Sequence, residues 1–487
     1  MTLATTPTFA GAGVFVCFAL ANRHADCFPR QIPYHSRRAR KSRVTDSADR
    51  MVPAATPTDE EDVIDLQLHT RREAPCAALL SLSAFCKERG IESFDVYGDF
   101  NCPTSESYLS QFEQDVAAHF GKEDAVFCIS GGMAQSIVLL INDATRSKNT
   151  GSPAFACHPT SHLLLHENSG YNELMKFESI VLGWDHHESS YDPNIILETS
   201  ACFRMGPLRL DDVEALVGKE GESRILSHPS RKPDVNVSTL ILELPHREIG
   251  GKLTPWDEVL EMSNFCSKHN LAFHCDGARI FEASAGYGHA SLAETAKPFD
   301  SVYISFYKGL GAMSGAMLLG DKPFVDDARV WLRRFGGNIY SVLPYAASAW
   351  MGFHMNCLVR DDTFTKRKEK LRSVVKMLTE DSDVCNFLSF DPPDPQTNIV
   401  HGYLDTSYSE ATSAIQKTED ETGIRVLYRL RSYDGGCRFE LTMGEANYSI
   451  DDELYVKGWK DFAQLVTHNI RFFYDVPSSS HVSALPL

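Results

Sequence analysis

Although the sequence carries 13 cysteines, none of them forms a Cys-x-x-Cys pair and their number is odd. Thiols scattered in this way, from Cys17 to Cys437, suggest neither a disulfide framework nor a zinc ribbon, so reduced and mostly buried cysteines are expected. Positive charge is also short. The 47 Lys and Arg face 65 Asp and Glu, a net charge of -18, which argues against nucleic acid or an anionic membrane surface as the main partner. A small-molecule ligand fits better. Long hydrophobic runs are missing as well: Thr8 to Ala21 is too short to span a bilayer and no other segment qualifies. No internal repeat is present.

At 487 residues the chain exceeds one ordinary core, so two structured domains and a tail are expected. The first stretch differs from the rest. Its apolar run ends in Ala19-Leu20-Ala21, the small-x-small form of a cleavage site, and Arg23, Arg30, Arg37, Arg38, Arg40, Lys41 and Arg43 follow against one acid, Asp26. A targeting segment and an ordinary disordered N-terminus both fit, which leaves an organelle (mitochondrion or plastid) and the cytoplasm as locations. The expected organisation is 1–56 targeting or disordered, 57–345 a large domain, 346–475 a smaller α+β domain, and 476–487 a disordered Ser- and Pro-containing tail.

From about Asp62 short apolar runs alternate with helical segments, as in βαβ units around a mostly parallel sheet. Residues 125–129 read as a buried strand and 133–141 as a helix, with Ser130-Gly131-Gly132 between them. A strand at 239–244 precedes a helix for which Thr254 is the expected N-cap, Pro255 the first residue and Asp257 the capping-box acid. Strand 271–275 then delivers Asp276 to its carboxyl end, where ligands of open α/β sheets bind. Strand 300–306 does the same for Lys308. A helical region at 346–380 and strands near 397–403, 424–429 and 437–442 complete the pattern.

Three of these features carry chemistry. A glycine turn opening a helix, Ser130-Gly131-Gly132, can offer free N–H groups and a positive dipole end to a phosphate. Asp276 and Lys308 stand at two further strand ends. Taken singly, each has a plain alternative: a tight turn, a turn cap, a solvated lysine. Asp185-His186-His187-Glu188 has metal-capable side chains, but adjacent residues point apart, so a solvated loop is expected and no metal. The charged run from Asp361 to Lys370 reads as an exposed helix face.

The paired segments His274-Cys275-Asp276-Gly277-Ala278-Arg279-Ile280-Phe281 and Ser305-Phe306-Tyr307-Lys308-Gly309-Leu310-Gly311 resemble the signature of the threonine aldolase and β-eliminating lyase family. Val96-Tyr97-Gly98-Asp99, Ser130-Gly131-Gly132-Met133-Ala134, Ser161-His162, Glu243-Leu244-Pro245-His246 with Gly250-Gly251, Phe335-Gly336-Gly337 and Thr397-Asn398 extend the likeness over roughly residues 62–470. The resemblance implies an α/β fold of the pyridoxal-phosphate (PLP) transferase type, fold type I, with the large domain binding PLP. It also implies cleavage of a threonine-like β-hydroxy-α-amino acid to glycine and an aldehyde, with β-elimination as the alternative; departures from the family pattern leave PLP binding without turnover as a third reading. On that basis Lys308 would carry PLP, Asp276 its ring nitrogen and Ser130, Gly131 and Gly132 its phosphate. His162 would stack on the ring and take a substrate proton, and Arg279 would serve both cofactor and substrate. Arg438 would bind the substrate carboxylate, and His246 would be a second active-site histidine. A homo-dimer or homo-tetramer is implied too.

Some positions depart from the family pattern. Gly132 stands where a threonine is usual and Tyr307 where a serine is, removing two phosphate hydroxyls. Asp65-Leu66-Gln67-Leu68-His69-Thr70 lacks the serine expected near the substrate carboxylate, and Gly336-Gly337-Asn338-Ile339-Tyr340-Ser341 lacks an arginine expected near the subunit contact. With Lys308, Asp276, Arg279 and His162 kept, a different amino-acid substrate is the expected consequence.

Overall fold

Seven strands form the central sheet of the computed structural model, which describes residues 63–70, 73–99, 107–146, 151–183, 205–216, 235–433 and 435–470. The segment 1–56, the tail from 476 and Asp185-His186-His187-Glu188 lie outside the described residues. After the short β1 (Ile64–Asp65) come β2 (Asp124–Cys128), β3 (Ser152–Cys157), β4 (Glu178–Val181), β5 (Val235–Glu243), β6 (Ala272–Gly277), β7 (Ser301–Ser305) and β8 (Ala316–Gly320). Their order across the sheet is β2-β8-β7-β6-β5-β3-β4. Only β8 runs against its neighbours; the other pairings are parallel. Strands β2, β3, β5, β6 and β7 therefore end along one edge.

Every residue of β6, β7 and β8 is buried, as expected of strands covered on both faces. Along β7, Val302 and Ile304 join a core with Phe112, Phe306 and Trp350. Tyr303, between them, joins the opposite core with Ala134, Ile137 and Val138. Phe306 is fully buried, with its ring 5.2 Å from that of Phe112. Burial of a side chain that size contributes roughly 1.5–3 kcal/mol, which anchors the strand end two residues before Lys308.

Strands β9 (Leu388–Asp391), β10 (Ile399–Leu404), β12 (Arg431–Tyr433) and β13 (Gly436–Thr442) form an antiparallel sheet, while β11 (Ile424–Arg425) pairs with β1 in parallel. Behind them lies a core built on Tyr455, Trp459 and Phe462. The expected strand at 424–429 thus shortens to two residues, because 428–429 instead give their N–H groups to Gln67 Oε1 at 2.8 Å. Gln67 is buried and its Nε2 also donates to the Arg429 and Glu440 carbonyls, so all four of its hydrogen-bonding positions are used. Gln67→Ala is expected to lower the unfolding free energy by roughly 2–4 kcal/mol, read from urea denaturation.

Two local expectations are corrected. The helix expected to begin at Pro255 spans Trp256–His269 with Pro255 as its N-cap, and no side chain caps it. Thr254 Oγ1 donates instead to the Leu208 carbonyl at 3.0 Å, a tertiary bond that captures the hydroxyl. The run from Asp361 to Lys370 is not exposed throughout either. In the Thr363–Glu380 helix Arg367 is buried and its Nη1 donates to the Gly309 carbonyl at 3.0 Å, in the turn after Lys308. Of nine free cysteines among the described residues, Cys128, Cys157, Cys266, Cys275 and Cys437 are buried.

Candidate active site

The shared strand edge gathers the side chains that the sequence pointed to. From β2 the chain turns through the exposed Ser130 into the helix Gly131–Arg146, and Ser130 Oγ accepts from Met133 N at 3.4 Å. After β3 comes Ser161-His162, where His162 opens a short helix. At the end of β5, Glu243 stands in register with Asp276 of β6, and Asp276 with Tyr303 of β7. Lys308 follows three residues after β7. Its turn is tight: a Cβ at Gly309 would overlap the Glu282 carboxylate and the Phe364 ring.

Electrostatics tie the group together. Burial pulls the Lys308 amine down to about 8, and Arg279 adds to this, while Asp276 and Glu243 oppose it. Asp276 is pushed up, first by burial and then by Glu243, against the pull of Lys308, His162 and the Ala278 N–H, which donates to its Oδ1 at 3.2 Å. His162 Nδ1 lies 3.1 Å from Glu167 Oε1. Burial works to lower the His162 imidazole, but Glu167 and Asp276 outweigh it and leave the group above its ordinary value. With Nδ1 donating to a carboxylate, Nε2 is left as the acceptor of the neutral ring. Arg279, half-buried, begins the helix Ile280–Tyr287.

Similarity to known proteins follows the same residues. The family model described as β-eliminating lyase matches residues 96–397, which includes the Gly131 turn, His162, His246, Asp276, Arg279 and Lys308. The chain belongs to the β-eliminating lyase family. The Arabidopsis thaliana protein named "Probable low-specificity L-threonine aldolase 2" is 27% identical over 335 residues, 68% of this chain and 81% of its own. The low-specificity L-threonine aldolase of Candida albicans is 27% identical over 245 residues, 50% of this chain and 56% of its own. Among solved structures, a "putative L-allo-threonine aldolase" of Listeria monocytogenes is 28% identical with a TM-score of 0.66, covering 83% of this chain and 96% of that one.

Two candidates of this family member remain, His246 and Arg438. His246 is buried and its Nε2 lies 2.8 Å from Thr160 Oγ1 and 3.8 Å from Glu243 Oε2. Thr160 in turn meets His158 Nδ1 at 3.0 Å. Arg438, on β13, is buried and pairs with Glu248 at 3.7 Å; burial lowers it and Glu248 resists. The sequence alone gives no role to Glu243, Glu167 or Arg247. Glu243 lies within the family motif, but its place opposite Asp276 requires the β5–β6 register. Glu167 lies five residues after His162. Arg247 bridges Glu440 at 2.8 Å and Glu248 at 3.1 Å, and it too weighs on Lys308.

Proposed function

We propose that this protein is a PLP-dependent lyase that cleaves the Cα–Cβ bond of a threonine-like β-hydroxy-α-amino acid, giving glycine and an aldehyde. The observation that carries the reading is the juxtaposition of a depressed lysine amine, Lys308, with the buried carboxylate of Asp276 on adjacent strand ends. This donor set suits PLP: an amine for its aldehyde, a carboxylate for its protonated ring nitrogen, and the start of a 16-residue helix at Gly131 for its phosphate. When bound, the cofactor would supply an electron sink for the breaking bond.

The chain's own groups would do the rest. With a pKa near 8, about a tenth of the Lys308 amine is free base at pH 7, roughly 300-fold more than for an unperturbed lysine. Arg279 would grip the substrate carboxylate bidentately and so set which Cα bond is broken. His162, fixed by Glu167, would accept the proton of the β-hydroxyl at Nε2. Asp276 would keep the ring nitrogen protonated through a charge-assisted bond. Arg438, paired with Glu248, would bind the substrate carboxylate, and His246, held by Thr160, would be a second active-site histidine.

Arg279→Gln is expected to raise the substrate KM roughly 10- to 100-fold while leaving the visible cofactor band in place, measured by steady-state kinetics and absorption. For the function itself, the assay is the purified protein with added PLP and L-threonine or L-allo-threonine, with the aldehyde followed by coupled reduction. Aldehyde and glycine in equal amounts support aldol cleavage. Ammonia and a keto acid from serine or cysteine, with no aldehyde, would move the activity to β-elimination. Bound cofactor with neither product would make this a silent PLP-binding protein.

Two further parts of the reading rest on shape. The separate core around Trp459 supports a large and a small domain. Ala346, Trp350, Phe353 and Phe364, however, join the core of Phe112 and Phe306 while Leu66 joins that of Trp459, so the division falls after Phe364 rather than at 345 and the small domain also takes in Leu66. Leu79, Leu80, Phe94, Tyr97 and Tyr340 are exposed, and Tyr97 N donates to the Tyr340 carbonyl at 2.7 Å. Exposed apolar side chains of this kind support a homo-dimer or homo-tetramer.

A further inference from the structure

Glu282 is a buried acid for which the proposed chemistry has no use. It stands in the first turn of the helix Ile280–Tyr287, three residues after Arg279, and is only 3% exposed. Its carboxyl presses on the turn that carries Lys308: the space a side chain at Gly309 would need is filled by Glu282 Oε1. Arg367 reaches the same glycine from the Thr363–Glu380 helix, where its Nη1 donates to the Gly309 carbonyl at 3.0 Å. The two helices are joined beside it by the stacked rings of Phe281 and Phe364, 5.6 Å apart. Among the described residues, no other residue donates a hydrogen bond to Glu282 Oε2. An ionised carboxyl is costly to bury without a paired cation, and packing alone gives no reason to keep one beside Gly309.

We propose that Glu282 is a positioning residue for the cofactor lysine: together with Arg367 it braces the Lys308–Gly309 turn, and its negative charge sets how readily the Lys308 amine gives up its proton. This rests on the PLP reading above. The charged groups around Glu282 are Arg279 at the start of its own helix, Arg367 from the Thr363–Glu380 helix and Lys308 in the turn. Cys357, from the segment His354–Val359, faces it as well, and its thiol stays neutral because burial pushes it well up. Burial likewise pushes the Glu282 carboxyl up to about 7, against the pull of Arg279, its own N–H, Arg367 and Lys308. Below about 7 the carboxyl is therefore neutral and leaves the amine alone, and above it the carboxylate holds the proton on Lys308. Two coupled groups titrate in place of one, so the loading rate should climb over a wider pH range than a single amine gives.

The test is the pH profile of PLP loading in the full chain, followed by stopped-flow absorption, with Lys308→Ala as the blank. Glu282→Gln keeps the shape of the side chain and removes its charge. Its loading midpoint should fall by about half a unit or more, its rate at about pH 7.5 should rise about twofold, and its profile should narrow to that of one group. Glu282→Asp draws the carboxyl back by one methylene, so its midpoint should lie between the other two; if Glu282→Gln does not fold, the fall in this midpoint decides. A role in packing alone would lower the melting temperature and leave the midpoint where it is. A midpoint unchanged from the unsubstituted protein, whatever the stability of the variant, would overturn the assignment. Absence of Lys308-dependent loading in the unsubstituted protein would instead sink the PLP reading, and the role of Glu282 with it.

Discussion

Lys308→Ala should abolish the visible absorption that added PLP gives with the purified protein and should lower turnover by at least about 10³-fold. The expectation follows from position and charge together. Lys308 leaves the carboxyl end of β7, a strand pinned by Phe306, into a turn held by Arg367 on the Gly309 carbonyl. Burial and Arg279 hold its amine down at about 8. A lysine placed and tuned in this way is a nucleophile near neutral pH, whereas a solvated lysine is not. The pH dependence has a definite sign. Only the unprotonated amine attacks the cofactor aldehyde, so the rate of loading should rise with pH and level off above about 8. Stopped-flow absorption at several pH values reads this directly, and a loading rate independent of pH between about 6 and 9 would contradict it.

Asp276→Asn carries the second large effect. An amide cannot hold the ring nitrogen protonated, so kcat should fall roughly 10- to 100-fold or more while the cofactor still loads. A second readout separates this role from a packing role. Asp276 works to raise the Lys308 amine, so its removal should move the loading midpoint below about 8. Asp276→Glu should preserve the direction of both properties better than Asp276→Asn does. An unchanged midpoint with reduced kcat would mean that the two groups do not communicate as their positions on β6 and β7 imply.

Much of this arrangement is legible along the chain. The strand–turn–helix at 124–146, the acid at the end of β6 and the lysine after β7 follow from apolar runs punctuated by glycine, and the motifs around Asp276 and Lys308 single out the family. What the chain order hides is tertiary. Thr254 reads as a cap until Leu208 offers its carbonyl, and Arg367 reads as one more surface charge until Gly309 offers its own. Gln67 is a departure from the family pattern in the sequence, yet in the fold it joins the N-terminal strand to residues 428–429 and 440. Glu243 acquires its influence on Asp276 only through the β5–β6 register.

If Lys308 is the cofactor lysine, it carries the cofactor covalently. Borohydride reduction of the PLP-loaded protein, followed by peptide mass mapping, tests it most directly. A cofactor-sized mass increment is expected on the peptide containing Lys308 and on no other lysine. An increment on a different lysine, or a protein that takes up no increment after loading above about pH 8, would contradict it.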